Sequence, residues 1–141
     1  MGYTLLPKLL SSGHLLRASA GQDQAREQRA LAALLSIPRR TYLQEYDVLF
    51  RRVSLWLLDQ GYTLSNYQPH QVLVQVCALF APREKVRVMV GCRHALKYDR
   101  EKPSAAGIAT LTDLLLAFSC LATEERAEKM QKSLPDANRL H

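Results

Sequence analysis

The chain has 141 residues and a mass of 16.0 kDa, the size of one ordinary domain, which argues against a two-domain enzyme. Its 48% hydrophobic and 23% charged residues exclude an intrinsically disordered protein, because enough apolar side chains are present to form a core. Nineteen Lys and Arg against thirteen Asp and Glu leave a net charge of +6. This excess favours an anionic partner, although it is also within the range that keeps a small domain soluble.

Cysteine and histidine spacing shows no sign of a disulfide framework or a metal site. The three cysteines are odd in number and widely spaced, which is typical of reduced thiols and predicts a cytoplasmic protein (Cys77, Cys92 and Cys120). No two of the four histidines are three or four residues apart, so we expect neither a metal nor another cofactor. Pro7 and Lys8 interrupt the one stretch that resembles a signal peptide, and no apolar run reaches the roughly 18 residues of a membrane helix, so we expect no membrane association.

Two helices are predicted in the first 36 residues. Leucines at near-helical spacing predict a short N-terminal helix up to a Ser-Ser-Gly break at 11–13, in a pattern that includes Leu5, Leu6, Leu9, Leu10, Leu15 and Leu16. Strong helix formers then fill residues 23–36. Asp23 is a suitable N-cap for this second helix, and Pro38 prevents its continuation.

The third helix has clear signals at both ends. Thr41 and Gln44 have the spacing of a capping box, in which each side chain accepts a hydrogen bond from the other residue's backbone. Gly61 follows the last apolar residue, as expected of a glycine that ends a helix in the left-handed conformation. Between these ends the apolar residues recur every three or four positions (Tyr42, Tyr46, Leu49, Phe50, Val53, Trp56 and Leu57).

Residues 72–90 match two different structures. Valines alternate with other residues at 72, 74 and 76 and again at 86, 88 and 90, and a turn at 81–84 would join these stretches as a β-hairpin. The same stretches also match two helices, since apolar residues recur at helical spacing on either side of Pro82. The pattern alone leaves both structures open.

A long last helix is predicted from Ser104, a suitable N-cap, to a stop at residues 134–135. Its apolar stripe comprises Ile108, Leu111, Leu115, Phe118 and Leu121 or Ala122. Two Glu–Lys pairs, at 125/129 and 128/132, have the spacing of helical ion pairs. Together the segments predict an all-α protein, an antiparallel helical bundle with a four-helix core and one or two extra helices. We expect one domain over residues 1–134 and a frayed tail over 135–141.

The positive charge is concentrated in two parts of the chain. Residues 83–102 carry seven basic and three acidic residues, and residues 1–52 carry eight and four. Such a run is either a solvated helical face or a contact surface for a phosphate backbone. The sequence contains no nucleotide-binding, hydrolase or metalloprotease motif.

Arg93 is the most informative residue of the basic run. A helix over residues 86–98 places Arg93 on the same apolar stripe as Val86 and Met89, where an arginine needs a partner. That partner is a carboxylate such as Asp47 or Asp59, a carbonyl group, a subunit interface or an anionic ligand. His94, Lys97 and Tyr98 follow within about a turn, and together with Arg93 these residues could hold a phosphate and exchange protons with it.

Over roughly residues 42–122 the sequence resembles the HEPN superfamily, small helical domains of bacterial toxin–antitoxin and nucleotidyltransferase-associated proteins. The resemblance lies, in chain order, in residues 46–50 (YDVLF), residues 57–62 (LLDQGY), His70, and residues 93–99 (RHALKYD). It implies an antiparallel four-helix core in a homodimer, with the Arg-containing motifs of two subunits facing each other across a cleft. It also favours helices over the hairpin in residues 72–90.

The same resemblance implies roles for individual residues. Arg93 corresponds to the phosphate-binding arginine of the motif, and His94 to the polar residue after it. Tyr98 occupies the position of the histidine that, with the arginine, cuts RNA without metal in catalytic members. A phenol with a pKa near 10 is a poor general base at neutral pH, so we expect a non-catalytic module. It would bind nucleotide or RNA phosphate through Arg93, assisted by Lys97, His94, Tyr98 and Arg87.

Two other functions remain open. One is a protein–protein interaction module without nucleic-acid binding, in which aromatic residues anchor the interface with a cognate protein (Tyr42, Tyr46 and Trp56, or Tyr62 and Tyr67). The other is a metal-independent ribonuclease toxin that uses Arg93 and His94.

Overall fold

The computed structural model describes residues 4–19 and 21–133, and for residue 22 and residues 120–133 it describes the backbone alone. Most of this part is helical: α1 (Leu5–Ser11), α2 (Gln22–Leu35), α3 (Tyr42–Asp59), α4 (Pro69–Cys77), α5 (Arg83–His94), a π-helical turn (Ala95–Asp99) and α6 (Ala105–Ser133). Two strands of three residues each, β1 (Leu15–Arg17) and β2 (Tyr62–Leu64), form a small antiparallel ribbon. The predicted all-α class is confirmed.

Helix α3 lies at the centre of the fold and begins and ends where the sequence predicts. The Thr41 hydroxyl accepts a hydrogen bond from the Gln44 backbone N–H at 3.3 Å, and the Gln44 side chain accepts one from the Thr41 N–H at 2.9 Å. Gly61 has a φ of +93°, which a residue with a Cβ adopts only at a steric cost. Helices α2 and α6 pack against α3, and α5 packs against α4 and α6.

The hydrophobic core joins α3 to every other helix except α2. Its members share near-complete burial: Leu6, Leu9, Leu15, Tyr46, Leu49, Val53, Trp56, Leu57, Val72, Leu73, Val76, Cys77, Val86, Met89, Leu111, Leu114 and Phe118. Burial raises the pKa of the Cys77 thiol to about 12. Since the thiolate is the reactive form, Cys77 acts as a small apolar core residue.

The ribbon of β1 and β2 is not predicted from the sequence. The predicted N-terminal helix ends at the predicted break, as α1, and the segment after the break is extended, with Leu15 paired to Leu64 and Arg17 to Tyr62. Leu15 is fully buried and Leu16 is 51% exposed, which is the alternation expected of a strand. The ribbon fixes the N-terminal segment to the chain that follows α3.

Residues 72–90 form two helices and no hairpin. Val72 and Val76 are buried on α4, whereas Val86 and Met89 are buried on α5, as helical spacing requires. A hairpin would place Val86 and Val88 on the same face of a strand. Val86 is buried and Val88 is 44% exposed, which excludes that arrangement. Helix α5 continues directly into the π-helical turn, which ends at Arg100 with a φ of +57°.

Helix α6 begins at the predicted cap but turns a different stripe inward. The Ser104 hydroxyl accepts a hydrogen bond from the Gly107 N–H at 3.1 Å. Leu111, Leu114 and Phe118 are buried, whereas Ile108 is 46% exposed, so its assignment to the buried stripe is wrong. The predicted apolar residues at 121–122, both Glu–Lys pairs and the tail over 135–141 lie outside what the structure describes. Within the described helices, none is long and apolar enough to cross a membrane.

Candidate functional site

Arg93 lies in the last turn of α5, half-buried, and faces α3. Its guanidinium carbon is 5.1 Å from the centroid of the Tyr46 ring, a cation–π contact. In the part of the chain that the structure describes, no carboxylate oxygen lies within 4.0 Å of the Arg93 guanidinium nitrogens, the distance limit of an ion pair. The expected pairing with Asp47 or Asp59 is therefore not formed there.

A cavity of about 490 Å³ opens beside this guanidinium, and we call it the Arg93 cavity. It lies where the second half of α2, the middle of α3, the first turn of α4 and the end of α5 meet. Apolar side chains of α2 form one wall, and aromatic and charged groups form the rest (Ala30, Ala33, Leu34, Asp47, Phe50, Arg51, His70 and Arg93). The volume is that of a small-molecule site.

His70 enters the cavity from the first turn of α4, directly after Pro69. Its Nδ1 is 3.1 Å from the Tyr46 hydroxyl, and its ring centroid is 5.3 Å from that of Phe50. Burial and the positive charges of Arg93 and Lys97 lower the pKa of His70, and Asp47 opposes them with the smallest effect. Burial raises the pKa of Tyr46, so the phenol stays protonated and donates a hydrogen bond to the neutral imidazole.

The second arginine of the cavity already has a partner. Arg51 Nη1 lies 3.1 Å from Oε1 and 2.5 Å from Oε2 of Glu27, which joins α3 to α2. The ion pair compensates the charge of Arg51, and Asp47 is exposed. Arg93 is thus the cation of this cavity for which the described residues supply no carboxylate.

The other residues that the sequence singles out lie outside the cavity lining. His94 is exposed, and its ring centroid lies 4.7 Å from that of Tyr98, which is 62% exposed. Lys97 Nζ lies 5.6 Å from the Tyr98 ring, and Arg87 is exposed on α5. The structure thus brings Arg93 together with His70 and leaves His94 and Tyr98 on the surface.

A second, smaller cavity of about 240 Å³ adjoins the first, and we call it the Glu27 cavity. It lies between the first half of α2, the second half of α3 and the segment from β2 to α4. Its lining is mostly polar and includes Phe50, which also lines the Arg93 cavity (Arg26, Glu27, Phe50, Ser54, Leu58, Thr63, Leu64, Ser65, Asn66 and Pro69).

An apolar groove of about 430 Å³ lies elsewhere, between the start of α3 and the face of α6. Its two charged lining residues, Arg40 and Glu45, form an ion pair with each other. The Tyr42 hydroxyl at its edge donates a hydrogen bond to the Met89 carbonyl at 2.7 Å. Because its polar groups are already paired, this groove offers less to a charged ligand than the Arg93 cavity does.

The sequence selects Arg93 and includes His70 in the family resemblance, but it assigns no role at the site to the groups around Arg93. His70, Phe50, Arg51 and Glu27 come from three different helices, and no local spacing relates them to Arg93. Phe50 and Tyr46 are four residues apart and therefore lie on one face of α3, which is the only local signal available. Among the described residues no three His, Cys, Asp or Glu side chains converge as metal ligands would.

No protein-family model matches this sequence, and the searches of curated proteins and of solved structures gave no match. The geometry of the Arg93 cavity is therefore the basis on which a function can be inferred.

Proposed function

We propose that the protein is a HEPN-like helical module that binds a phosphate group of RNA or of a nucleotide in the Arg93 cavity and does not cleave it. The observation that carries this proposal is the half-buried guanidinium of Arg93, which faces a cavity of about 490 Å³ without a carboxylate partner among the described residues. A partly desolvated charge is costly when nothing compensates it. A phosphate would compensate it through paired, charge-assisted hydrogen bonds.

The electrostatics around His70 support an anionic ligand. Arg93, which lines the cavity, and Lys97, which lies outside its lining, both lower the pKa of His70. Asp47 opposes them with the smallest effect, and the charge of Arg51 is compensated by Glu27. The net charge of +6 on the whole chain would further attract polyanions at low ionic strength.

Two observations favour binding over cleavage. Tyr98, at the position of the histidine of catalytic HEPN members, is exposed and lies against His94, away from the cavity lining. His70 does face the cavity, but its Nδ1 accepts the Tyr46 hydroxyl, and the two cations disfavour its protonated form. Such an imidazole is a poor proton donor to a leaving group at neutral pH.

The test is binding of a fluorescein-labelled single-stranded RNA, measured by anisotropy, in the parent and in Arg93→Gln. We expect Arg93→Gln to weaken binding about 10- to 100-fold, since it removes a charge-assisted hydrogen bond. If Arg93 and Lys97 each neutralise one phosphate, parent affinity falls about sevenfold between 50 and 200 mM salt. The matched control is Arg83→Gln, which removes the same charge about 15 Å away along α5.

The control variant should bind within about twofold of the parent, since a distant exposed charge contributes only screened attraction. Parent protein that does not bind RNA or nucleotide at low salt would contradict the proposal. So would an Arg93→Gln variant that binds as tightly as the parent with the same dependence on salt.

We also propose that the module acts as a homodimer, as the resemblance implies, within a toxin–antitoxin or nucleotidyltransferase-associated system. Light scattering of the purified chain at micromolar concentration tests the dimer directly. A mass of 16.0 kDa, that of one chain, would contradict it.

A further inference from the structure

The Arg93 cavity and the Glu27 cavity share one wall. Phe50 lines both of them, Arg51 lines the first, and Glu27 lines the second. The ion pair between Arg51 and Glu27 therefore crosses the wall, with the cation on one side and the carboxylate on the other. An anion in the first cavity could take Arg51 as a partner, and a group with hydrogen-bond donors in the second could take Glu27.

We propose, building on the proposed function, that the two cavities form one site for a guanine nucleotide. The phosphate lies next to Arg93 and Arg51 in the Arg93 cavity, and the guanine base lies in the Glu27 cavity. On binding, Arg51 exchanges Glu27 for the phosphate, and Glu27 exchanges Arg51 for the base.

Glu27 selects guanine because of its hydrogen-bonding character. An ionised carboxylate only accepts hydrogen bonds, through two oxygens. Guanine presents two adjacent N–H donors on its Watson–Crick edge, whereas the same edge of adenine combines one donor with one acceptor. The Glu27 side chain is only 13% exposed and is the sole carboxylate in the lining of its cavity. Once Arg51 binds the phosphate, guanine can donate one N–H to each oxygen of this carboxylate, whereas adenine would leave one oxygen without a donor.

Phe50 and the size of the Glu27 cavity also favour a single base. Aromatic side chains provide stacking surfaces for unpaired bases, and Phe50 forms the shared wall. The volume of about 240 Å³ is smaller than the roughly 300–1,000 Å³ of whole-ligand pockets, so the sugar and phosphate must extend into the neighbouring cavity. The hydroxyls of Ser54 and Ser65 already donate to the carbonyls of Phe50 and Gly13, and Arg26 is paired with Asp23. Thr63 and Asn66 also line the cavity, and Glu27 is its one group that only accepts hydrogen bonds and carries a negative charge.

The experiment compares GMP with AMP by isothermal titration calorimetry on the full chain at low salt. We expect GMP to bind about tenfold more tightly than AMP, the discrimination typical of one bidentate contact. Glu27→Gln should bind both nucleotides with affinities within about twofold of each other, because an amide with one donor and one acceptor can pair with adenine at N6–H and N1 and equally with guanine at N1–H and O6. Glu84→Gln is the matched control, since it is the same substitution at an exposed residue of α5 that lines neither cavity.

The ratio of the two affinities is read within each variant, so partial unfolding of Glu27→Gln would not change it. A single-stranded RNA with one guanine, compared with an all-adenine RNA, shows whether the site also takes guanine within a chain. Equal affinities for GMP and AMP in the parent, or a GMP preference that survives Glu27→Gln, would overturn the guanine site and leave the phosphate proposal standing. Failure of GMP, AMP, inorganic phosphate and both RNAs to bind at all would overturn both.

Discussion

Helix α3 contributes to two aromatic clusters that contain similar rings but differ in their surroundings. Towards its C-terminal end, Trp56 meets Phe80 and Phe118 edge to face, with ring centroids 5.1–6.0 Å apart, and we call this the closed cluster. Nearer its start, Tyr46 and Phe50 flank His70 with centroids 5.8 and 5.3 Å from the imidazole, and we call this the open cluster. The closed cluster has Trp56 and Phe118 almost fully buried, whereas the open cluster borders the Arg93 cavity.

The difference lies in what accompanies the rings. The closed cluster consists of two phenylalanines and one tryptophan, so its stabilisation comes from burial and edge-to-face contact. The open cluster joins a phenol, an imidazole and the guanidinium of Arg93, all of which have hydrogen-bonding capacity that apolar packing does not use. Aromatic content alone therefore does not distinguish a core from a candidate site. The candidate site is distinguished by a cationic group, Arg93, for which the described residues supply no carboxylate partner.

The largest expected effect is on stability, from Phe118→Ala in the closed cluster. Removing a fully buried phenylalanine should lower the free energy of unfolding by about 3–5 kcal/mol, because burial is lost and a cavity remains. Urea denaturation followed by circular dichroism measures this loss. Phe80→Ala is the comparison, since Phe80 is 37% exposed and should cost clearly less. A larger loss in Phe80→Ala than in Phe118→Ala would contradict the argument that burial sets the contribution of each ring.

In the open cluster, Tyr46→Phe should cost about 1 kcal/mol of unfolding free energy, the usual contribution of one hydrogen bond. It should also raise the pKa of His70, because the lost hydroxyl hydrogen bond favours the neutral imidazole. Chemical shifts of the His70 ring, followed by NMR as a function of pH, measure this change. Tyr42→Phe is the control, since that hydroxyl donates to the Met89 carbonyl and not to a histidine. An unchanged His70 pKa in Tyr46→Phe would contradict the contact.

The ends of α3 are predictable from the sequence because their signals are local. The capping box at Thr41 and Gln44 and the glycine at 61 set the ends of α3 without reference to the rest of the chain. The ribbon is not predictable in this way. Leu15 and Leu64 come from three-residue strands that are 49 positions apart, and so short a strand has no detectable alternation. Ile108 shows a related limit, because helical spacing allows several stripes and packing against α3 and α5 selects Leu111 and Leu114.

The candidate site is predictable only in part, for the same reason. Arg93 can be selected from sequence, since an arginine on an apolar stripe is unusual. His94 is its neighbour along the chain, but adjacent residues on a helix point about 100° apart, and His94 is exposed. His70 reaches Arg93 from 23 positions away because α4 and α5 pack together. The histidine at the site is thus set by tertiary packing and not by local spacing.

The open cluster should also make stability depend on pH, with a smaller effect than Tyr46→Phe because His70 is only partly buried. The pKa of His70 lies below its ordinary value of 6.5, so the unfolded chain binds this proton more readily than the folded chain. The free energy of unfolding should therefore fall as the pH decreases from 7 through 6.5, until the folded-state pKa is reached. Thermal unfolding of the parent and of His70→Gln measures this, and the difference isolates His70 from the other titrating groups. A parent and variant with the same pH dependence would contradict it.

The smallest expected effect on stability comes from Arg93→Met, and it separates the two clusters most clearly. Methionine keeps the aliphatic packing of the side chain, and no carboxylate among the described residues loses a partner. The lost cation–π contact with Tyr46, about 0.5–1 kcal/mol, is offset by removal of a partly desolvated charge, so unfolding free energy should stay within about 0.5 kcal/mol of the parent. Nucleotide binding should be lost in the same variant. A loss of stability comparable to that of Phe118→Ala would instead identify Arg93 as a structural residue, because a group reserved for a ligand stabilises the complex and not the empty fold.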